Sequence, residues 1–95
     1  SVGKGAILSL TRQLALELAP TIRANAVVPG PALRPVDYDD ATYERVKHDT
    51  LLERWGTPEE MAHAVQFLIE ADYITGEVIT VDGGQRLGHR KHSHG

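Results

Sequence analysis

Residues 22–30 read IRANAVVPG. The run up to Val28 is short and rich in β-branched and small residues, and Pro29-Gly30 ends it, the pattern of a buried strand stopped by a turn. Upstream of it lies a helix. Ile7, Leu10, Leu14 and Leu18 form an i, i+3, i+7, i+11 stripe, and Ala6, Leu8, Ala15, Leu16 and Ala19 widen it beyond half the circumference. Pro20 stops this helix, because it lacks the N–H and disfavours helix for its predecessor. A helix apolar over so much of its surface needs cover on several sides. A chain of 95 residues buries only about 60–65% of its unfolded surface, so that cover is expected to come from elsewhere.

Downstream, ALRPVDYDD (32–40) reads as a loop, with Asp39 or Asp40 placed to cap a short helix over Ala41–Asp49. TPEEMAHAVQFLIE (57–70) is the clearest local signal: Thr57 as N-cap, Pro58 at the first helical position and Glu60 completing a capping box. Met61, Ala64, Val65, Leu68 and Ile69 give this helix one apolar face. ITGEVITVDGG (74–84) adds a turn at Gly76, a strand over Glu77–Val81 and a stop at Asp82-Gly83-Gly84. Helices alternating with two strands mean an α/β fold with a parallel sheet. Two strands do not complete such a sheet, so the chain reads as part of a larger fold.

Composition narrows the function. There is no cysteine, which removes disulfides and cysteine–zinc sites and favours a reducing compartment. No apolar run reaches the roughly 18 residues of a membrane span, and no signal peptide is visible, so a cytoplasmic location is expected. Residues 1–85 carry 7 basic against 13 acidic side chains, a net of −6, and Arg86, Arg90 and Lys91 then add +3. An acidic body with one Trp and one Phe is a poor partner for nucleic acid. Residues 88–95, GHRKHSHG, form a polar tail, predicted to lack fixed structure; His89, His92 and His94 have no fixed metal geometry there. Asp37, Asp39 and Asp40 are read as a solvated loop rather than a metal site, and GKGA at 3–6 lacks the spacing of a phosphate-binding loop.

Four stretches together resemble one family. SVGKGAILSLTRQLALELAP, IRANAVVPG, RWGTPEEMAHAVQFLI and YITGEVITVDGG are similar, in order and spacing, to the C-terminal half of the short-chain dehydrogenase/reductases. The resemblance covers residues 1–87, and it implies the C-terminal portion of a Rossmann-like doubly wound parallel sheet, incomplete by itself. It also implies an enzyme that moves hydride between a nicotinamide cofactor and a carbonyl or imine carbon, commonly as a homotetramer or homodimer.

The resemblance assigns roles by position. Lys4 matches the lysine of the family's Tyr-x-x-x-Lys motif, as catalytic residue and as ligand of the nicotinamide ribose. Its cation lowers the tyrosine's pKa from the ordinary value near 10. The tyrosine belongs one helical turn earlier, just before Ser1, so these 95 residues alone are expected to be inactive and to need an N-terminal half carrying the tyrosine and the Gly-rich cofactor motif. Pro29, Gly30 and Ala32 match the cofactor-binding turn, with Ala32 as backbone donor because Pro31 has no N–H. Leu33 and Arg34 fall in the substrate loop; the threonine often found there is missing. Asn25 and the Asp82-Gly83-Gly84 turn are read as structural.

NAVVPGPALRP and the ending DGGQRL look most like pteridine reductase-like members, which reduce dihydropterin or dihydrofolate rings with NADPH. NADH is the alternative cofactor, since the selecting residues lie upstream. The alternative function is 3-oxoacyl-carrier-protein reductase, and a third reading is a non-catalytic fragment acting only in assembly.

Overall fold

The computed structural model describes residues 2–88, with Val2 placed by its backbone alone. The histidine-rich tail beyond Gly88 lies outside the described residues. Five main elements follow one another: α1 (Val2–Leu18), β1 (Ala26–Pro29), α2 (Asp40–His48), α3 (Pro58–Glu70) and β2 (Val78–Val81), closed by one turn of 3₁₀ helix at Gln85–Leu87. β1 and β2 pair in parallel, from Ala26 opposite Val78 to Pro29 opposite Val81. The α/β class and the parallel pairing agree with the sequence reading. Helix α2 starts one residue earlier than expected, because Asp39 takes the N-cap and accepts from the Thr42 N–H at 2.8 Å.

Both α1 and α3 pack against the strand pair. Helix α3 begins with the full capping box: Thr57 Oγ1 accepts from the Glu60 N–H at 3.1 Å, and the Glu60 carboxylate accepts from the Thr57 N–H at 3.0 Å. Its other end is closed by Arg23. That guanidinium donates to the carbonyls of Leu68, Ile69, Ala71 and Ile74 at 2.9–3.1 Å, satisfying carbonyls that the helix end leaves free. Asn25 ties the entrance of the strands together, donating to the Ile74 carbonyl and accepting from the Glu77 N–H. The structural role read for Asn25 is the observed one. Gly76, at φ +78°, makes the turn into β2 and donates to the Ala24 carbonyl at 2.7 Å.

Burial is sparse. Among the described residues Ala15 and Leu68 are the only buried apolar side chains. Thr11 and Ala15 turn α1 toward the strands, whereas Leu10 and Leu16 are 60% and 77% exposed. The expected burial of α1 on several sides is therefore not reached within this chain: one narrow stripe meets the strands and the rest of its apolar surface is open. The cause is geometric, since a two-stranded sheet covers one stripe of a helix and no more.

Candidate functional site

The carboxyl ends of both strands converge on one turn. The Gly30 N–H donates to the Val81 carbonyl at 2.9 Å, one step past the last pair of the ladder. A Cβ on Gly30 would lie 2.5 Å from the Asp82 Cβ and 2.6 Å from its Cα. Glycine is thus required here by the β2 exit. Asp82 occupies the side where a Cβ would stand, so the physical reason for this glycine is a backbone crossing.

Asp82 is itself buried. One carboxylate oxygen accepts from the Gly84 N–H at 2.9 Å and from the Arg86 guanidinium at 3.0 Å; the other accepts from the Arg86 N–H at 2.9 Å. Burial pushes its pKa up, but these bonds and the charges of Arg86 and Lys4 outweigh it and hold the carboxyl below its ordinary value. Gly83 and Gly84, at φ +63° and +86°, let the chain reverse against Thr50 and Leu51. The Thr50 side chain is buried in turn, donating to the Lys47 carbonyl and accepting from the Arg54 N–H.

Lys4 stands half-buried on α1, near enough for its charge to act on Asp82. Among the described residues no hydrogen bond or ion pair holds its ammonium. On the β1 side, Ala32 is half-buried, and its N–H has no acceptor among the described residues. An uncommitted cation whose charge reaches Asp82 and an uncommitted backbone donor two residues past Gly30 make a donor set that suits an anionic or hydroxyl-bearing ligand such as a dinucleotide.

The loop after Gly30 frames an open cleft of about 560 Å³, with Pro29, Leu33, Tyr38, Trp55 and Met61 in its walls. Leu33 is exposed. Arg34, though exposed, is held by its partners: it donates to the Tyr38 carbonyl at 2.9 Å and to Asp40 at 2.9 Å, and it lies 5.0 Å above the Tyr43 ring. Tyr43 stacks on Trp55 at 4.9 Å, Tyr38 meets Trp55 edge-on at 6.1 Å, and the Trp55 indole N–H donates to the Tyr43 carbonyl. Of the sequence-named residues, Pro29, Gly30, Ala32 and Leu33 line this one cleft, whereas Arg34 braces the loop behind it. Sequence reasoning missed the aromatic stack. Its one available signal was the chain's single Trp beside Arg54 and Gly56.

Arg54 forks onto Glu60, with bonds of 2.9 and 2.7 Å. That guanidinium, together with the Thr57 cap, draws the Glu60 carboxyl down to about 2. The acidic loop behaves as a set of caps and braces through Asp39 and Asp40. Among the described residues no group of three metal-ligating side chains converges, and no helix is long and apolar enough to cross a membrane.

With that geometry, the chain matches a known family. Residues 1–86 fit the family described as enoyl-(acyl carrier protein) reductase. The chain belongs to the short-chain dehydrogenase/reductases. Human 3-oxoacyl-[acyl-carrier-protein] reductase is 43% identical over 88 residues, matching 92% of this chain and 37% of its own length. Among solved structures, a small-chain dehydrogenase in complex with NADPH is 40% identical with a TM-score of 0.78, covering 88% of this chain and 41% of the other. FolM alternative dihydrofolate reductase 1 from Brucella suis, in complex with NADP, is 36% identical with a TM-score of 0.81, covering 97% of this chain and 37% of the other. The chain therefore spans about two-fifths of the length of these short-chain dehydrogenase/reductases, and it forms the C-terminal part of their Rossmann-like fold.

Proposed function

We propose that these residues carry the lysine and the Pro-Gly turn of an NADPH-dependent reductase, whose remaining parts precede Lys4 in a longer polypeptide. The observation that carries this reading is the uncommitted Lys4 ammonium beside the strand ends where Gly30 meets Asp82. In open α/β sheets ligands bind at the carboxyl ends of the strands. NADPH supplies the hydride. Lys4 would hold the nicotinamide ribose hydroxyls and stabilise the phenolate of a tyrosine one turn earlier, so that the phenol could hand a proton to the substrate heteroatom near neutral pH. Pro29 and Gly30 would form the wall beside the bound nicotinamide, and the Ala32 N–H would be the donor available to its carboxamide. Leu33 faces the substrate, with Arg34 holding the loop that presents it.

For the substrate, a dihydropterin or dihydrofolate ring is favoured. The likeness to the Brucella FolM reductase covers 97% of this chain, and the cleft after Gly30 has aromatic walls in Tyr38 and Trp55, which suit a flat ring. A second reading, reduction of a 3-oxoacyl thioester, is favoured by the 43% identity to the human reductase of that name. The protein is read as a homo-oligomer of the cytoplasm. The test is NADPH oxidation by the full-length protein, with dihydropterin and with an acetoacetyl thioester offered separately. Turnover of dihydropterin supports the first substrate and turnover of the thioester alone supports the second. Oxidation with neither overturns both.

A further inference from the structure

Asp82 has no part in the reaction just described, yet it abuts Gly30 and lies within reach of the Lys4 charge. Among the described residues it is the only charged side chain of the three buried polar ones, Thr11, Thr50 and Asp82, and a buried charge is costly to retain. Its Cα and Cβ lie where a side chain on Gly30 would stand. Its two oxygens hold the Gly84 N–H, the Arg86 N–H and the Arg86 guanidinium, which fixes the turn that presses against Gly30.

We propose that Asp82 is a positioning residue for the reductase site: its bonds lock the turn that sets Gly30 and the cleft wall beyond it, and its charge sets the field in which the Lys4 ammonium works. The inference rests on the reading of Lys4 and Pro29-Gly30 given above. The charged groups around Asp82 can be named. Arg86 pairs with it from the 3₁₀ turn at 3.0 Å, and Lys4 on α1 lies near enough for its charge to act on it. Arg54 and Glu60 face it across a small cavity of about 90 Å³ but pair with each other at 2.7 Å. Thr50 and Leu51, which pack on the turn, bring no charge.

The consequence has a sign. An ammonium near a phenol favours the phenolate, and a carboxylate near that ammonium offsets part of the effect. Asp82 therefore keeps the proton donor protonated to higher pH than Lys4 alone would. Arg86 acts in the opposite sense by partly neutralising Asp82.

The experiment measures kcat/KM for NADPH-dependent reduction against pH in the full-length protein, with whichever of dihydropterin or acetoacetyl thioester it turns over. It compares Asp82→Asn, Arg86→Gln and Lys4→Ala. Asp82→Asn is expected to move the alkaline limb to lower pH by on the order of half a unit to one unit, and Arg86→Gln to move it to higher pH. Opposite shifts from two neighbours cannot come from a loosened turn alone. If both variants leave the limb in place while Lys4→Ala still loses about a hundredfold in turnover, the role of Asp82 is overturned and that of Lys4 stands. If Lys4→Ala keeps full turnover, the underlying reading falls and this inference falls with it. Should Asp82→Asn fail to fold, Arg86→Gln decides alone, an unmoved limb counting against the proposal.

Discussion

The two ends of the β1–β2 pair are built from different chemistry. At the amino end, Arg23 and Asn25 spend their donors on backbone carbonyls of Leu68, Ile69, Ala71 and Ile74, and almost every polar group there is committed. At the carboxyl end, Asp82 ties down one turn, but the Lys4 ammonium and the Ala32 N–H stay uncommitted among the described residues, and a cleft of about 560 Å³ opens beside Ala32. The first end closes a fold, while the second keeps donors in reserve at the end where an α/β sheet binds ligands. Satisfied polar groups stabilise, and uncommitted ones held in place by satisfied neighbours are what a binding site needs.

That contrast can be broken at its tightest point. Gly30→Ala puts a Cβ at 2.5 Å from Asp82, and overpacking against backbone costs about 3 kcal/mol. Denaturant unfolding of the full-length protein should show that loss, together with weakened NADPH binding. An unchanged midpoint would mean that the two strand exits are not locked together. At the other end, Arg23→Ala removes four charge-assisted bonds to carbonyls, and an expected loss of about 2 kcal/mol should appear in the same measurement with NADPH affinity unaltered. A change in affinity there would erase the division between the ends.

The smallest effect lies in acid. The Glu60 carboxyl is drawn down to about 2 from an ordinary 4.5 by Arg54 and the Thr57 cap. A depressed carboxyl contributes stability that is complete above the ordinary value and is lost as pH falls from about 4.5 toward 2. Glu60→Gln should therefore show a flatter thermal midpoint than the parent across that window, and should converge with it at the acid end. Parallel curves would show that the Arg54–Glu60 fork adds nothing to the fold, as exposed pairs often do.

Local signals in the sequence carried much of this. The capping box Thr57-Pro58-Glu59-Glu60 and the Pro-Gly stop at 29–30 announce themselves within four residues, and the structure contains both. What stayed hidden joins distant positions. Arg23 reaches carbonyls 45 to 51 residues away, and no local pattern distinguishes it from a surface arginine. Asp82 meets Gly30 only because two parallel strands end side by side, and no local pattern around either residue announces that contact. In the Arg34–Tyr43–Trp55 stack only Tyr43 lies on a helix; Arg34 and Trp55 sit in the loops on either side of α2, where no helix or strand spacing predicts contacts. The open face of α1 was legible as excess apolar surface, and about two-fifths of a family fold is a sufficient cause for it.

The proposed role of Lys4 as the working cation of a reductase site can be checked by steady-state NADPH oxidation of the full-length protein with Lys4→Ala, alongside circular dichroism of the same sample. Turnover is expected to fall at least about a hundredfold with the spectrum unchanged. Full turnover in a folded Lys4→Ala protein would contradict it.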